Sequence, residues 1–282
     1  VNSTPGSSAL QSIAEWPVDN AGAAIVSASG ETIAAFGDSG RVYELASVTK
    51  LLVAHAVLVA VEEGAVELDT PAGPPGSTVR HLLAHASGLD FTTDEIRAAP
   101  GEQRIYSSTG YEVLADTVES ATEIRFADYL AEAVCEPLGM TATALTGPAG
   151  HGAQSTVADL SRLAAELLSP RLISPELHAQ QTSVQFPGID GFVPGYGRQR
   201  PNDWGLGPEL RDSKRPHWTG ASNSPQTFGH FGQAGTFLWV DPVLCASCVV
   251  LTDRPFGAWA KPLWADFNDT VVTEIRTMNN IH

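Results

Sequence analysis

Strand-like segments stand at both ends of this chain and helical periodicity fills its middle. Ala21–Ala28 and Glu31–Phe36 read as strands joined by a turn at Ser29-Gly30. Strand character returns only at Trp204–Leu210, Thr227–Gly232, Thr236–Val240 and Ser247–Thr252. Between them, helical patterns cover Val79–Ala84, Tyr111–Ala121, Arg125–Cys135 and Val157–Leu168, the last capped by Ser155-Thr156. Pro170–Pro201, rich in Gly and Pro, is expected to be irregular. Leu10–Trp16 and Trp259–Met278 read as terminal helices. The simplest assembly is an α+β fold in which the early hairpin joins the late strands in one antiparallel sheet covered by the terminal helices. Residues 1–70 and 203–282 would then form a sheet lobe and residues 71–202 an inserted helical lobe, with an active site in the cleft between them.

Leu45-Ala46-Ser47-Val48-Thr49-Lys50 runs directly into an apolar helix that starts with Leu51-Leu52-Val53 and ends at Gly64. Positions i and i+3 of a helix share a face, so the Ser47 hydroxyl and the Lys50 amine can meet. The helix start adds unpaired N–H groups and partial positive charge beside the serine. Nucleophile, base and oxyanion donors can thus come from one turn of chain, an arrangement that activates a serine without a histidine. The chain has only three lysines, Lys50, Lys214 and Lys261, and uses arginine as its surface cation. A lysine spent at the head of an apolar helix is therefore expected to be chemical.

At 282 residues with a net charge of −16, the chain is an acidic globule and a poor partner for nucleic acid. Val1–Ser8 carries neither a basic nor an apolar signal segment, and no run of roughly 18 apolar residues occurs, so a soluble, cytoplasmic protein without a membrane partner is expected. Cys135, Cys245 and Cys248 make no disulfide framework and lack a second pair for zinc; buried thiols are expected. His81 and His85 are four apart on a predicted helix, but no glutamate follows His81 as a metalloprotease motif requires, so they are read as packing residues and no metal or cofactor is expected. There is no Gly-x-Ser-x-Gly elbow.

Two further segments line up behind Ser47 and Lys50. One is Ile105-Tyr106-Ser107-Ser108-Thr109-Gly110-Tyr111, just before a helix. The other is Gly229-His230-Phe231-Gly232-Gln233, on a strand that turns into Thr236–Val240. With these three motifs in order, the chain resembles the serine β-lactamase and penicillin-binding-protein superfamily, in its class C-like branch with the D-alanyl-D-alanine carboxypeptidases and family VIII carboxylesterases. Val79–Leu89, Glu136-Pro137-Leu138-Gly139-Met140 and Ser155–Leu160 extend the resemblance over nearly the whole chain.

The resemblance implies that Ser47 carries an acyl group, that Lys50 and Tyr106 form a coupled proton relay, and that the N–H groups of Ser47 and Gln233 form the oxyanion hole. It places Ser108, His230, Phe231 and Gly232 against the substrate. An ammonium beside the Tyr106 phenol would favour the phenolate. Two positions depart from the family pattern. Ser108 replaces the asparagine of the second motif, offering one donor on a shorter arm and leaving its contact with Lys50 in question. His230 replaces the lysine common in the third motif, and a neutral imidazole would hold a substrate carboxylate weakly. These features point to a serine hydrolase for small esters. A D-amino-acid peptidase or β-lactam-binding activity, and a weakened binding protein on the same fold, are the alternatives.

Overall fold

A computed structural model describes residues 7–279; residues 1–6 and 280–282, the outer ends of the predicted sheet lobe, lie outside it. A short helix, α1 (Ser8–Gln11), continues as a 3₁₀ turn over Ser12–Glu15 and leads into the hairpin β1 (Ala21–Ser27) and β2 (Thr32–Phe36). Strand β3 (Tyr43–Glu44) precedes the Ser47 turn and α2 (Thr49–Glu62). The middle of the chain carries α3 (Val79–Leu83), α4 (Ser108–Thr122), α5 (Phe126–Leu130), α6 (Glu136–Leu138), β4 (Ala144–Leu145), β5 (Ala153–Ser155), α7 (Val157–Leu168) and α8 (Pro175–Gln181). Hairpin β6 (Gly191–Val193) and β7 (Gly197–Gln199) follows, then β8 (Glu209–Leu210), β9 (Phe228–Gly232), β10 (Thr236–Asp241), β11 (Ala246–Thr252) and α9 (Ala260–Asn279).

The expected sheet forms. Its order is β2-β1-β11-β10-β9-β8, antiparallel between the paired neighbours, with β1 zipped to β11 from Ala21↔Thr252 to Ser27↔Ala246. Side chains alternate across a strand, and the central strands β1, β10 and β11 are covered on both faces, so each of them feeds two cores. Ala23, Ile25, Phe237, Trp239, Cys248 and Val250 point towards α1 and α9, while Ala24, Val26, Leu238, Val240, Val249 and Leu251 point towards α2 and α7. The polar edge of Trp239 is satisfied within the first core by Asn268, whose amide in turn donates to the Trp218 carbonyl.

Helix α2 is apolar on every side and is buried on every side from Thr49 to Ala60. Beyond Thr49 and Lys50 in its first turn, its buried polar residue is His55, which meets Glu166 of α7 at 3.2 Å. Breaking such a fully buried pair typically costs about 3–5 kcal/mol. Burial would push the Glu166 carboxyl up, but His55 and the Arg171 and Leu172 N–H groups hold it below the usual range. Among the described residues no helix is long and apolar enough to cross a membrane.

Several expectations needed correction. Trp204–Leu210 is not one strand: only Glu209–Leu210 pairs with β9, and Trp204 reaches Glu209 by a single bridge. The cause is Gly205-Leu206-Gly207-Pro208, which turns the chain back on itself with Gly205 N–H donating to Pro208 O. Arg125–Cys135 is not a uniform α-helix either, because a π turn at Ala131–Cys135 precedes Pro137, which has no N–H to continue the ladder. The Pro170–Pro201 stretch holds α8, capped by Ser174, and the β6–β7 hairpin. Cys135 and Cys248 are buried as expected, but Cys245 is exposed at a left-handed position (φ 52°) in the β10–β11 turn.

Candidate active site

Ser47 sits in a 3₁₀ turn, Ala46–Val48, that feeds α2 rather than in the α-helix itself. Ala46 before it takes φ 47°, a left-handed conformation that costs a non-glycine residue roughly 1–2 kcal/mol. The 3₁₀ winding eclipses positions i and i+3, so the serine–lysine contact survives. Lys50 Nζ lies 3.4 Å from Ser47 Oγ.

Lys50 is fully buried and has no carboxylate in contact among the described residues. Its other two acceptors are neutral: Ser108 Oγ at 3.1 Å and Gly150 O at 2.8 Å. Burial pulls its pKa down to about 7, opposed only by the more distant Glu112. Glu112 accepts from the Gly150 N–H, so the Gly150 peptide links the carboxylate to the amine. The Ser108 contact answers the question raised by the missing asparagine: the hydroxyl reaches Lys50 directly.

The second motif is set by its middle residue. Ser107 caps α4 by accepting from Gly110 N–H and donates to Asp90 O. That leaves Tyr106 just outside the helix, facing the cleft, and Ser108 at its first turn, facing Lys50. The Lys50 ammonium position lies 4.5 Å from the centre of the Tyr106 ring. Burial pushes the Tyr106 phenol above its ordinary pKa, and a hydrogen bond with Ser47 only partly opposes this. The expected order is therefore reversed: Lys50 is the group that sheds its proton near neutrality, and Tyr106 stays a phenol. Desolvation of both groups outweighs their mutual interaction.

Strand β9 delivers the third motif. Gly232 approaches so closely that a Cβ there would lie 2.4 Å from Leu45 O and 3.1 Å from Ser47 N, which only glycine permits. Thr236 Oγ1 donates to Leu45 O at 2.8 Å and fastens β10 to the same turn. Gly232 thus lies against the Ser47 turn, and Gln233 after it lines the same pocket as Ser47. His230 is buried, its Nδ1 bonds Phe231 O at 2.7 Å, and burial together with Lys50 lowers its pKa to about 4. It is neutral at pH 7, as the sequence suggested. Phe231 borders the pocket, although its ring packs among Tyr196, Phe256 and Trp264 in the core beneath.

Ser47, Tyr106, Trp204, His230 and Gln233 enclose a pocket of about 30 Å³. Phe91, Tyr106, Pro194 and Gln233 also line an adjoining groove of about 820 Å³. One lining residue gives no sequence signal. Glu209 faces the small pocket while wholly buried, with Lys214 Nζ at 2.8 Å, Trp218 Nε1 at 2.6 Å and His217 Nε2 at 3.3 Å. Burial alone would push its pKa up, but Lys214 and His217 override this and hold it ionised. Trp204 also lines the pocket, whereas Tyr196 and Trp218 pack in the core. His81 and His85 act locally: His81 Nδ1 accepts from Thr78 N–H and His85 Nδ1 from Ser107 N–H. No cluster that could hold a metal is present among the described residues.

Comparison with known proteins bears on the fold and the family. A solved beta-lactamase (Mb2281c) from Mycobacterium bovis superposes with a TM-score of 0.94 at 57% identity, over 95% of this chain and 99% of that one. The D-alanyl-D-alanine-carboxypeptidase/endopeptidase AmpH of Escherichia coli K12 is 26% identical over 142 residues, and the match spans 37% of each chain, little more than a third of the relative's length. EstCE1, a hydrolase with promiscuous acyltransferase activity, superposes with a TM-score of 0.75 over 94% of this chain and 96% of that one; at 18% identity this shows the fold alone. The sequence model of the beta-lactamase family matches residues 18–269. The chain therefore belongs to the beta-lactamase family of serine hydrolases, with the β-lactamase/transpeptidase-like fold.

Proposed function

We propose that this protein hydrolyses small esters through an acyl-enzyme on Ser47. The observation that carries the reading is the contact of Ser47 Oγ with a buried Lys50 whose pKa is drawn to about 7. Neutral Lys50 takes the Ser47 proton as Oγ attacks the ester carbonyl carbon. The N–H groups of Ser47 and Gln233 stabilise the oxyanion; losing one such donor typically costs about 100–1000-fold in rate. When the tetrahedral intermediate collapses, the C–O bond to the alcohol breaks and the alkoxide takes a proton from Tyr106, which Lys50 restores. Water then attacks the acyl carbon and gives its proton to Lys50; the bond from that carbon to Ser47 Oγ breaks, Oγ takes the proton back from Lys50, and the acid leaves.

Esters are favoured over carboxylate-bearing substrates by the third motif. His230 is neutral at pH 7, Arg104 is occupied by four backbone carbonyls, and Arg198 is paired with Asp190 at 3.1 Å. A specific observation supports a second reading, acylation by β-lactams: the 57% identity to the Mycobacterium bovis beta-lactamase. The binding-protein alternative was motivated by Ser108, whose direct contact with Lys50 removes much of that motive.

The test is the initial rate of p-nitrophenyl butyrate hydrolysis by wild type and Ser47→Ala, with nitrocefin assayed in parallel. Ester turnover that disappears with Ser47 supports the reading. Nitrocefin turnover without ester turnover would move it to β-lactams, and inactivity of a folded wild type on both would overturn it.

A further inference from the structure

The pocket around Ser47 and the groove beside it differ in volume by more than an order of magnitude, about 30 Å³ against about 820 Å³. The first has room for little more than the reacting atoms. The second is in the size range of drug-like ligand sites, roughly 300–1,000 Å³. Because Tyr106 and Gln233 line both, a substituent on a carbonyl held at Ser47 leads directly into the groove.

The groove carries charged side chains, Glu102, Asp190 and Arg198, beside a set of apolar ones. Phe91 and Phe192 are 48% and 65% exposed, and Ile105, Ile189 and Pro194 lie with them along the lining. Exposed aromatic side chains clustered at a concave site, unlike isolated surface apolar residues, are a mark of ligand binding.

The wall is also fixed before any ligand arrives. Arg104 and Gly191 form a parallel bridge, Arg104 N–H donates to Asp190 O, and a Cβ on Gly191 would lie 2.4 Å from Arg104 O. The Arg104 guanidinium donates to the carbonyls of Ala84, Gln185, Phe186 and Asn202, tying the approach to the hairpin onto the Tyr106 segment. Within the β6 strand, alternation buries Val193 at 1% exposure and turns Phe192 outward. Tyr196 at the hairpin turn packs on Phe231 and Phe256, which secures the other end.

From this we infer that the groove between the Arg104–Tyr106 segment and the β6–β7 hairpin is a binding subsite for an apolar chain or ring system of the substrate, so that the enzyme selects esters carrying one bulky hydrophobic substituent. The inference rests on the ester-hydrolase reading. The substituent comes from either the acyl or the alcohol half of the ester, and the experiment separates the two.

One arm compares p-nitrophenyl acetate with p-nitrophenyl octanoate; the other compares ethyl acetate with octyl acetate. In the arm that uses the groove, kcat/KM rises at least about tenfold with chain length, since each buried methylene adds favourable transfer free energy. Phe192→Ser, at an exposed position where folding is not at stake, reduces the long-to-short ratio in that arm at least about fivefold. A flat ratio in both arms, or a rise that Phe192→Ser leaves untouched, overturns the subsite.

Binding of 1-N-phenylnaphthylamine to Ser47→Ala, read by fluorescence, tests the groove without any turnover. Saturable binding weakened at least about fivefold by Phe192→Ser upholds the subsite even if every ester proves inert, in which case only the hydrolase reading fails. No saturable binding, or binding indifferent to Phe192, overturns it.

Discussion

Lys50 and Lys214 are both sealed from solvent, at 0% and 3% exposure, and burial lowers the pKa of each. Their partners differ. Lys214 has a carboxylate, Glu209, at 2.8 Å, and its remaining contact is Asp203 O at 2.7 Å. Lys50 has two hydroxyls and one carbonyl. A paired buried ammonium keeps its charge and ties segments together. An ammonium surrounded by neutral dipoles gives up its proton near pH 7 and becomes a base. The same residue type, equally buried, is thus held by a carboxylate at one place and by neutral dipoles at the other, as the proposed base requires.

The largest effect that could break this contrast is on activity. Lys50→Met is expected to lower kcat/KM for a small ester by about 100- to 10,000-fold, the usual worth of a positioned base. Lys50→Arg should do no better, since a guanidinium cannot become neutral. Neither loss should reflect unfolding. The folded pKa of Lys50, about 7, lies below the unfolded value of about 10.4. The unfolded chain therefore binds more protons between those values, and this group makes stability rise with pH across that window. Thermal melts of Lys50→Met at pH 7 and pH 9 should show a shallower rise than wild type; a drop in melting temperature at pH 7 matching the activity loss would break the assignment.

Next in size is Lys214→Met, which strands Glu209 as a buried anion. A loss of about 3–5 kcal/mol in denaturant unfolding is expected. Adding Glu209→Gln should recover at least half of it, because Gln can still accept from Trp218 Nε1 and carries no charge. A single variant as stable as wild type would show that Lys214 is not holding that charge.

Smallest is Ser108→Ala. Lys50 keeps Gly150 O and Ser47 Oγ, so kcat/KM above pH 8 should stay within about tenfold of wild type. Removing an acceptor from the ammonium favours the neutral amine, so the acid limb of the rate profile should move to lower pH. Movement in the opposite direction would mean that Ser108 does not contact the charged form.

The two lysines also show what the sequence could and could not disclose. Lys50 was legible because its partner is three residues away and its helix is apolar throughout; the inference needs only local geometry. The six-stranded sheet was legible for a similar reason, since buried strands with β-branched and aromatic runs stand out at both chain ends. Lys214 lies in a Gly/Pro-rich segment with no periodicity, and its partner Glu209 is identified only once the chain folds back through Gly205–Pro208. The β6–β7 hairpin was hidden likewise: its anchor is the long-range Arg104–Gly191 bridge, and Gly191 reads as a loop residue until the neighbouring backbone is in place. The reversed order of proton affinities at Lys50 and Tyr106 was out of reach as well, because desolvation depends on how completely the fold excludes water.

The most direct test of the central claim is the rate at which an active-site phosphonate modifies the protein, followed by intact mass across pH 5 to 9 in wild type and Ser47→Ala. A single adduct, absent from Ser47→Ala, whose rate rises through a midpoint near pH 7, is the predicted result, because neutral Lys50 must draw the proton from Ser47. An adduct that persists in Ser47→Ala, or a rate on Ser47 that does not change with pH through that window, would contradict it.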